Sequence, residues 1–132
     1  MEQQESLRIT PKWITSLQKD EVFVFGSNIN GMHGGGAARV AMDKFGAVWG
    51  QGEGLQGQSY AIPTMEGLAN IPPAVERFIA FAKDHPELKF FVTPIGCGIA
   101  GYTEDEIAPL FKEATKLDNV FLPAGFWQIL GQ

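Results

Sequence analysis

The sequence predicts an α/β fold of three layers, α/β/α, in which a mostly parallel central sheet carries helices on both faces. Short apolar runs rich in Val, Ile and Phe alternate along the chain with segments of helical periodicity. The runs show almost no polar alternation, which is typical of strands buried on both faces of a parallel sheet. Glycines cluster after two of these runs, which favours loops at one edge of the sheet. The 132 residues, of which 45% are apolar, are enough for one domain over 1–132.

The N-terminal part of the chain is expected to hold a helix, a strand and a second helix. Thr as N-cap and Pro at the first helical position predict a short helix over 10–17. The apolar run 21–25 predicts a buried strand that Gly26 closes. Apolar residues at helical spacing over 37–45 predict a helix for which Gly46 is the C-terminal cap.

The same alternation continues to the C-terminus. Thr103 and Glu106 have the spacing of a capping box, which marks the start of the last predicted helix. In chain order, the expected elements are a glycine-rich loop over 46–58, a strand over 59–62, a helix opened by Pro72 and continuing to Ala82, a strand over 89–93, the capped helix to Ala114, a strand over 119–122 and an apolar tail over 123–132.

Composition excludes several classes of function. The formal net charge is −5 with ten Lys and Arg, so no nucleic-acid surface is evident. One cysteine, Cys97, cannot form an internal disulfide or a zinc cluster. The polar segment 1–10 is no signal peptide, and no apolar run approaches the roughly 18–20 residues of a membrane span. We therefore expect a cytoplasmic domain with no metal, no cofactor and no membrane contact.

The first loop with candidate chemistry follows the strand over 21–25. Three glycines at a helix start expose backbone N–H groups, and a helix N-terminus favours an anion, phosphate above all. Short amides can bond hydroxyl groups, and a histidine can transfer a proton near neutral pH. The residues concerned are Asn28, Asn30, His33, Gly34, Gly35 and Gly36. The histidine could equally bond a backbone carbonyl in a purely structural role.

The second loop lies over 93–102, between a strand and the capped helix. Gly96, Gly98 and Gly101 fit G-x-G-x-x-G, a pattern that is weak evidence by itself. A dinucleotide-binding dehydrogenase carries this motif after its first strand, whereas here it follows a late strand of a short chain, which disfavours an NAD(P) oxidoreductase. No G-x-x-x-x-G-K-[ST] is present, which excludes a P-loop NTPase. Because both loops leave carboxyl ends of strands, we expect them side by side at one rim.

These loops resemble those of macrodomains, the ADP-ribose-binding modules. Asn28 followed by His33-Gly34-Gly35-Gly36-Ala37 resembles their Asn…Gly-Gly-Gly loop, and 90–102 resembles the strand and loop that grip the diphosphate. The segment from Gln51 to Pro63 also looks like their middle part, so the similarity covers about 20–125 in order. The histidine before the triple glycine looks most like viral macrodomains that act on ADP-ribose 1″-phosphate and on ADP-ribosylated proteins.

The resemblance implies a role for each matching residue. Asn28 would bond the distal ribose, and His33 would be the acid–base group, which makes these two the candidate catalytic residues. Backbone groups of Gly34, Gly35 and Gly36 would face that ribose and the diphosphate. The resemblance also implies that Phe126 lies beside adenine and that the diphosphate is wrapped by Gly96, Gly98, Ile99, Ala100 and Gly101. Asn30 and Tyr102 are further candidate ligand contacts because of their positions in the two loops.

The sequence departs from the macrodomain pattern at two positions. The family usually carries Gly-Asp-Ile-Thr, whose Asp reads the adenine amino group, where this chain has Lys12-Trp13-Ile14-Thr15. The family's Asn-Ala-Ala-Asn is Phe25-Gly26-Ser27-Asn28 here, so the first Asn is gone. These departures predict a short, divergent member whose ligand could be another nucleotide with a ribose and a diphosphate.

Three functions remain open from the sequence. The domain could hydrolyse ADP-ribose 1″-phosphate or the link between ADP-ribose and protein. It could instead be a reader or sequestering module without turnover, or an interaction subunit with a vestigial pocket. Tyr102 could belong to the pocket wall or to the core, and Cys97 is expected to be a small packing residue. Phe126 and Trp127 could cover the sheet edge, or they could pair two copies of the chain through the apolar tail.

Overall fold

A computed structural model describes residues 7–131 and shows an α/β fold built on one five-stranded, mostly parallel sheet. Residues 1–6, part of the segment that argues against a signal peptide, and Gln132 lie outside the described residues. The strands are β1 (Glu21–Ser27), β2 (Gly54–Gln56), β3 (Ser59–Pro63), β4 (Lys89–Val92) and β5 (Val120–Phe121), in the spatial order β2-β3-β1-β4-β5. β1 pairs in parallel with β3 and β4, β4 pairs in parallel with β5, and only β2 runs antiparallel.

Helices cover both faces of this sheet. They are α1 (Gly36–Lys44), α2 (Ile71–Asp84), α3 (Glu104–Ile107) and α4 (Ala124–Ile129), together with 3₁₀ helices over Leu68–Asn70 and Ala108–Lys116. Within residues 7–131, no helix is both long and apolar enough to cross a membrane.

Alternate residues of β1 serve two separate cores. Val22 and Val24 belong to the larger core, formed mainly with α2, the 3₁₀ helix over Ala108–Lys116 and α4. Phe23 and Phe25 point to the opposite face and pack with α1. This period of two confirms that β1 is buried on both faces, as its continuous apolar pattern predicts.

Two local predictions differ from the structure. Residues 10–17 form no helix, and the chain at the start of this segment extends the sheet beyond β5: the Thr10 N–H donates to Leu122 O at 2.9 Å, and the Leu122 N–H donates to Arg8 O at 3.0 Å. The capping box of Thr103 and Glu106 is confirmed. However, the helix it opens changes to 3₁₀ geometry at Ala108, next to Pro109, which lacks the N–H that an α-helix requires.

The apolar tail contains a helix, α4, that the sequence pattern did not predict. Phe126 is fully buried against Phe111, with ring centroids 5.7 Å apart. Trp127 is also buried, and its Nε1–H donates to Arg8 O at 2.8 Å. These two aromatics therefore complete the core of their own chain and offer no apolar surface for pairing with a second copy.

Tyr60 in β3 connects the larger core to a surface ion pair. Its ring packs edge-on against Phe78, with centroids 5.1 Å apart. Nearby, the Arg77 guanidinium donates to both carboxylate oxygens of Glu53, at 2.6 and 2.9 Å. Burial and, to a lesser degree, the Glu53 charge raise the pKa of Tyr60 to about 12, while Arg77 acts in the opposite direction.

We expect this phenol to make the free energy of unfolding fall as pH rises from about 10 to about 12. An unfolded chain loses the phenolic proton near the ordinary pKa of 10, whereas the folded chain retains it until about 12. Urea unfolding at about pH 9 and about pH 11 measures the change. Tyr60→Phe should lose less stability over this range than the unsubstituted protein, and Tyr102→Phe serves as the control. Equal losses in the unsubstituted protein and Tyr60→Phe would contradict the assignment.

Candidate functional site

The two glycine-rich loops form opposite walls of one cavity of about 350 Å³. It lies at the carboxyl ends of β1, β3 and β4, where the parallel arrangement places ligands. Of the residues expected at a ligand, eight line it: Asn28, Gly34, Gly35, Gly36, Gly96, Gly98, Ile99 and Ala100. The expectation that both loops share one rim of the sheet is therefore confirmed.

The first loop is held against the segment after α1 by backbone contacts. The Gly50 N–H donates to Gly31 O at 2.8 Å, and the Ser27 hydroxyl donates to the Gly52 carbonyl oxygen. A Cβ at Gly52 would overlap carbonyl oxygens of the facing loop. Glycine is thus required here because two stretches of backbone approach more closely than any side chain permits.

Asn28 fixes the turn that precedes the three glycines. Its Oδ1 accepts from the Met32 N–H and its Nδ2 donates to Met32 O, both at 2.9 Å. The Gly31 N–H donates to Asn28 O at 2.9 Å, which closes the turn. Asn28 also lines the cavity, with one Nδ2–H and one Oδ1 lone pair left for a ligand. Asn30 is exposed and does not line the cavity, so its expected contact is not supported.

His33 does not reach the cavity, which corrects the expectation that it acts there as acid or base. The residue is fully buried, its ring packs edge-on against Phe25 at 5.3 Å between centroids, and its Nε2 lies 3.3 Å from Gln56 Oε1. Gln56 Oε1 also accepts from the Val48 N–H at 2.7 Å. His33 is therefore part of the support for the first loop, on the side away from the cavity lining.

The second loop is closed by its own backbone. The Tyr102 N–H donates to Gly96 O at 2.8 Å, and the Gly101 N–H donates to Gly98 O at 3.0 Å. Gly96 has a φ of +74° and Gly101 of +84°, which L side chains rarely adopt. Gly101 and Tyr102 do not line the cavity; Tyr102 packs against the larger core. Both residues therefore help to fix the conformation of the loop but do not contribute to the cavity lining.

Backbone N–H groups on both walls of the cavity have no acceptor within residues 7–131. They include those of Gly34, Gly35, Gly36, Gly98, Ile99 and Ala100. Three of them stand at the start of α1, whose N-cap residue Gly35 makes no side-chain capping bond and whose first turn holds no acid. Two loops therefore present unpaired donors, together with the positive end of a helix dipole, to one space.

No lining residue described by the structure has a charged or titratable side chain. The polar side chains there are Ser27, Asn28, Thr64 and Thr93. Cys97 lies in the second loop but does not line the cavity, and burial together with Glu104 and Glu106 raises its pKa to about 11. Its thiol thus stays protonated at neutral pH, as suits a packing residue.

Sequence reasoning did not single out several lining residues, including Ser27, Met32, Thr64, Met65 and Thr93. Thr64 and Met65 follow β3, so the rule that ligands lie beyond strand ends could have identified them. Phe126 was expected beside adenine, but the packing of α4 buries it in the core and it does not line this cavity.

A second, more apolar cavity of about 730 Å³ adjoins the first, and both are lined by Ala37, Thr93 and Pro94. Phe126 does not line this second cavity either.

No family model, curated protein or solved structure matches this chain. Among residues 7–131, no group of three or more His, Cys, Asp or Glu side chains is arranged to hold a metal ion.

The contact at Gly52 predicts a large difference between two glycine substitutions. Gly52→Ala should lower the free energy of unfolding by about 2–4 kcal/mol, because the new methyl group overlaps carbonyl oxygens of the facing loop. Gly34→Ala, where nothing lies within 4 Å of the added Cβ, should change it by at most about 1 kcal/mol. Urea denaturation of both variants measures the difference; equal losses would show that the two backbone stretches are not in contact.

Proposed function

We propose that this domain binds ADP-ribose or a closely related ribose-diphosphate nucleotide between its two glycine-rich loops. The observation that carries the proposal is that both walls of the cavity hold backbone N–H donors without a partner, Gly34, Gly35 and Gly36 on one and Gly98, Ile99 and Ala100 on the other. A diphosphate has enough acceptor oxygens, spread over two phosphorus centres, to use donors from two walls at once. A helix N-terminus further favours negative charge.

The absence of side-chain charge in the lining favours recognition by backbone. With no Lys or Arg among the described lining residues, an anion would be held by oriented N–H groups, which nests and helix starts supply in many phosphate sites. Glycine suits this arrangement because the ligand can approach the main chain closely. This is the arrangement that the resemblance to macrodomains implies, and we propose that the chain is a divergent domain of that type.

The cavity favours a binding module over a hydrolase. Hydrolysis by acid–base catalysis needs a titratable group within hydrogen-bond reach of the reacting atoms. Within residues 7–131 the cavity lining supplies none, and His33 is buried outside it. We therefore propose a reader of ADP-ribose, free or attached to protein, and give second place to hydrolysis by a positioned water.

Gly35→Glu is expected to weaken binding strongly without unfolding the protein. A Cβ at Gly35 has room, with Ile99 Cδ1 as its only near neighbour at 3.6 Å, but a carboxylate there would repel the diphosphate. Calorimetry with ADP-ribose should give a Kd in the roughly micromolar range for the unsubstituted protein and about a hundredfold weaker binding for Gly35→Glu.

Two variants control for this change. Gly35→Ala adds only a methyl group and should retain most of the affinity. Ala80→Glu adds the same charge at an exposed position of α2 that lines neither cavity, and should bind like the unsubstituted protein. Unchanged affinity in a folded Gly35→Glu protein would place the ligand elsewhere.

A reader should bind ADP-ribose 1″-phosphate and ADP-ribosylated protein without consuming them. Release of phosphate and of ADP-ribose, followed from about pH 5 to pH 9, should stay at the rate of buffer alone, since no acid–base group reaches the cavity. Turnover with a bell-shaped pH profile that disappears in His33→Gln would contradict the buried position of this histidine.

A further inference from the structure

Two methionine side chains lie at the mouth of the cavity between the loops. Met32 precedes the three glycines of the first loop, Met65 follows β3, and both line the cavity. Met32 is 53% exposed and Met65 is 47% exposed, and neither is among the side chains of the two cores. Methionine is one of the residue types most often buried, so packing does not account for two half-exposed thioethers at one cavity.

Hydrogen bonds fix the backbone at both positions. The Asn28 side chain bonds the N–H and the carbonyl oxygen of Met32, both at 2.9 Å. Met65 directly follows Thr64, whose N–H donates to Ser27 O at 2.8 Å. The two thioethers therefore extend from anchored backbone next to the space proposed for the diphosphate.

An exposed thioether is a site for oxidation by a peroxide. The sulfur supplies two electrons, the O–O bond of hydrogen peroxide breaks, one oxygen atom forms a bond to the sulfur, and the other leaves as water. The sulfur carries no proton that has to be removed first. Access of the peroxide to the sulfur therefore decides which methionine reacts.

The other two sulfur atoms within residues 7–131 are poorer targets. The Met42 side chain is partly buried and packs against the core that β1 forms with α1. Cys97 is partly buried as well, and burial, together with Glu104 and Glu106, raises its pKa to about 11. Its reactive form, the thiolate, is therefore scarce at neutral pH.

Oxidation of either exposed methionine would place a polar group where the lining is apolar. The oxygen of a sulfoxide carries a partial negative charge and accepts hydrogen bonds, whereas a thioether sulfur is only a weak acceptor. From Met32 or Met65, this oxygen would repel a diphosphate and compete with it for the unpaired N–H groups at the start of α1. Both effects lower the affinity of the cavity for an anion.

We infer that Met32 and Met65 are oxidation sites, and that their conversion to sulfoxides closes the cavity to its anionic ligand. The inference rests on the proposed function, since the ligand that is lost is the ribose-diphosphate nucleotide. Reduction reverses the change: in a methionine sulfoxide reductase, a dithiol supplies two electrons, the sulfoxide oxygen leaves as water, and the dithiol becomes a disulfide. Binding is therefore lost in the presence of peroxide and regained under reducing conditions.

Peptide mass spectrometry on the full chain, after brief treatment with hydrogen peroxide, measures which sulfur atoms react. Met32 and Met65 should be oxidised at least about fivefold faster than Met42, because their side chains are the more exposed. The same spectra show whether Cys97 has remained a thiol. Equal rates at the three methionines, or a faster reaction at Met42, would overturn the assignment of the two sites.

Calorimetry with ADP-ribose measures the consequence for binding. Oxidation of both exposed methionines should weaken binding at least about tenfold while circular dichroism stays unchanged, and a methionine sulfoxide reductase with dithiothreitol should restore the affinity. The double variant Met32→Leu, Met65→Leu has no sulfur at the mouth, so its affinity should be the same before and after peroxide. Met42→Leu retains the exposed pair and should lose affinity on treatment as the unsubstituted protein does.

The outcomes separate this inference from the proposed function. Full affinity in the doubly oxidised protein would overturn the inference, and so would an equal loss of affinity in the double leucine variant, which would place the sensitive group elsewhere. Either result leaves intact the diphosphate site, which the untreated protein and Gly35→Glu test. Failure of the untreated protein to bind ADP-ribose would overturn the proposed function and the inference with it.

Discussion

The contact between the first glycine-rich loop and the backbone around Gly52 determines the shape of the candidate site. At this contact, carbonyl oxygens of the loop lie where a Cβ of any other residue would stand. Hydrogen bonds from the Gly50 N–H to Gly31 O and from the Ser27 hydroxyl to Gly52 O hold the loop against this backbone. The contact between Gln56 and His33, which is buried, adds a side-chain link between the same two stretches. Because this side of the loop is immobilised, the N–H groups at the start of α1 keep a fixed position at the rim of the sheet. The second loop can then form the opposite wall of a defined cavity.

A site built from backbone explains how an acidic protein could take an anionic ligand. The formal net charge is −5, and the cavity lining described here has no basic side chain. Oriented N–H groups and a helix dipole act over a few ångströms, whereas the net charge acts through screened solvent. The local field at the cavity can therefore favour a diphosphate although the whole molecule repels anions weakly.

The sequence predicts the framework of the molecule well because local patterns determine it. The continuous apolar run of β1 requires burial on both faces, and the capping box at Thr103 sets the start of α3 without help from distant residues. The two glycine loops follow β1 and β4, which pair in parallel with each other, so their meeting at one edge follows from topology alone.

What the sequence does not predict depends on distant partners. The segment over 10–17 has a helix start signal, yet hydrogen bonds of Arg8 and Thr10 to Leu122 align its first residue with the sheet instead. His33 turns away from the cavity because its partner Gln56 comes 23 residues later, on the short antiparallel strand β2 that the glycine-rich pattern of 46–58 conceals. Phe126 is buried because the tail folds into a helix against Phe111. Side-chain direction in a loop or a tail is set by such contacts, which have no signature in local spacing.

The central claim is that both glycine-rich loops grip one ligand through their backbone N–H groups. Amide chemical shifts in a titration with ADP-ribose test it most directly, since each N–H reports separately. We expect the amides of Gly34, Gly35, Gly36, Gly98, Ile99 and Ala100 to shift together and saturate with one Kd, while amides along the exposed side of α2 stay unchanged. Shifts confined to one loop, or shifts in the two loops that saturate at different ligand concentrations, would contradict a single site between them.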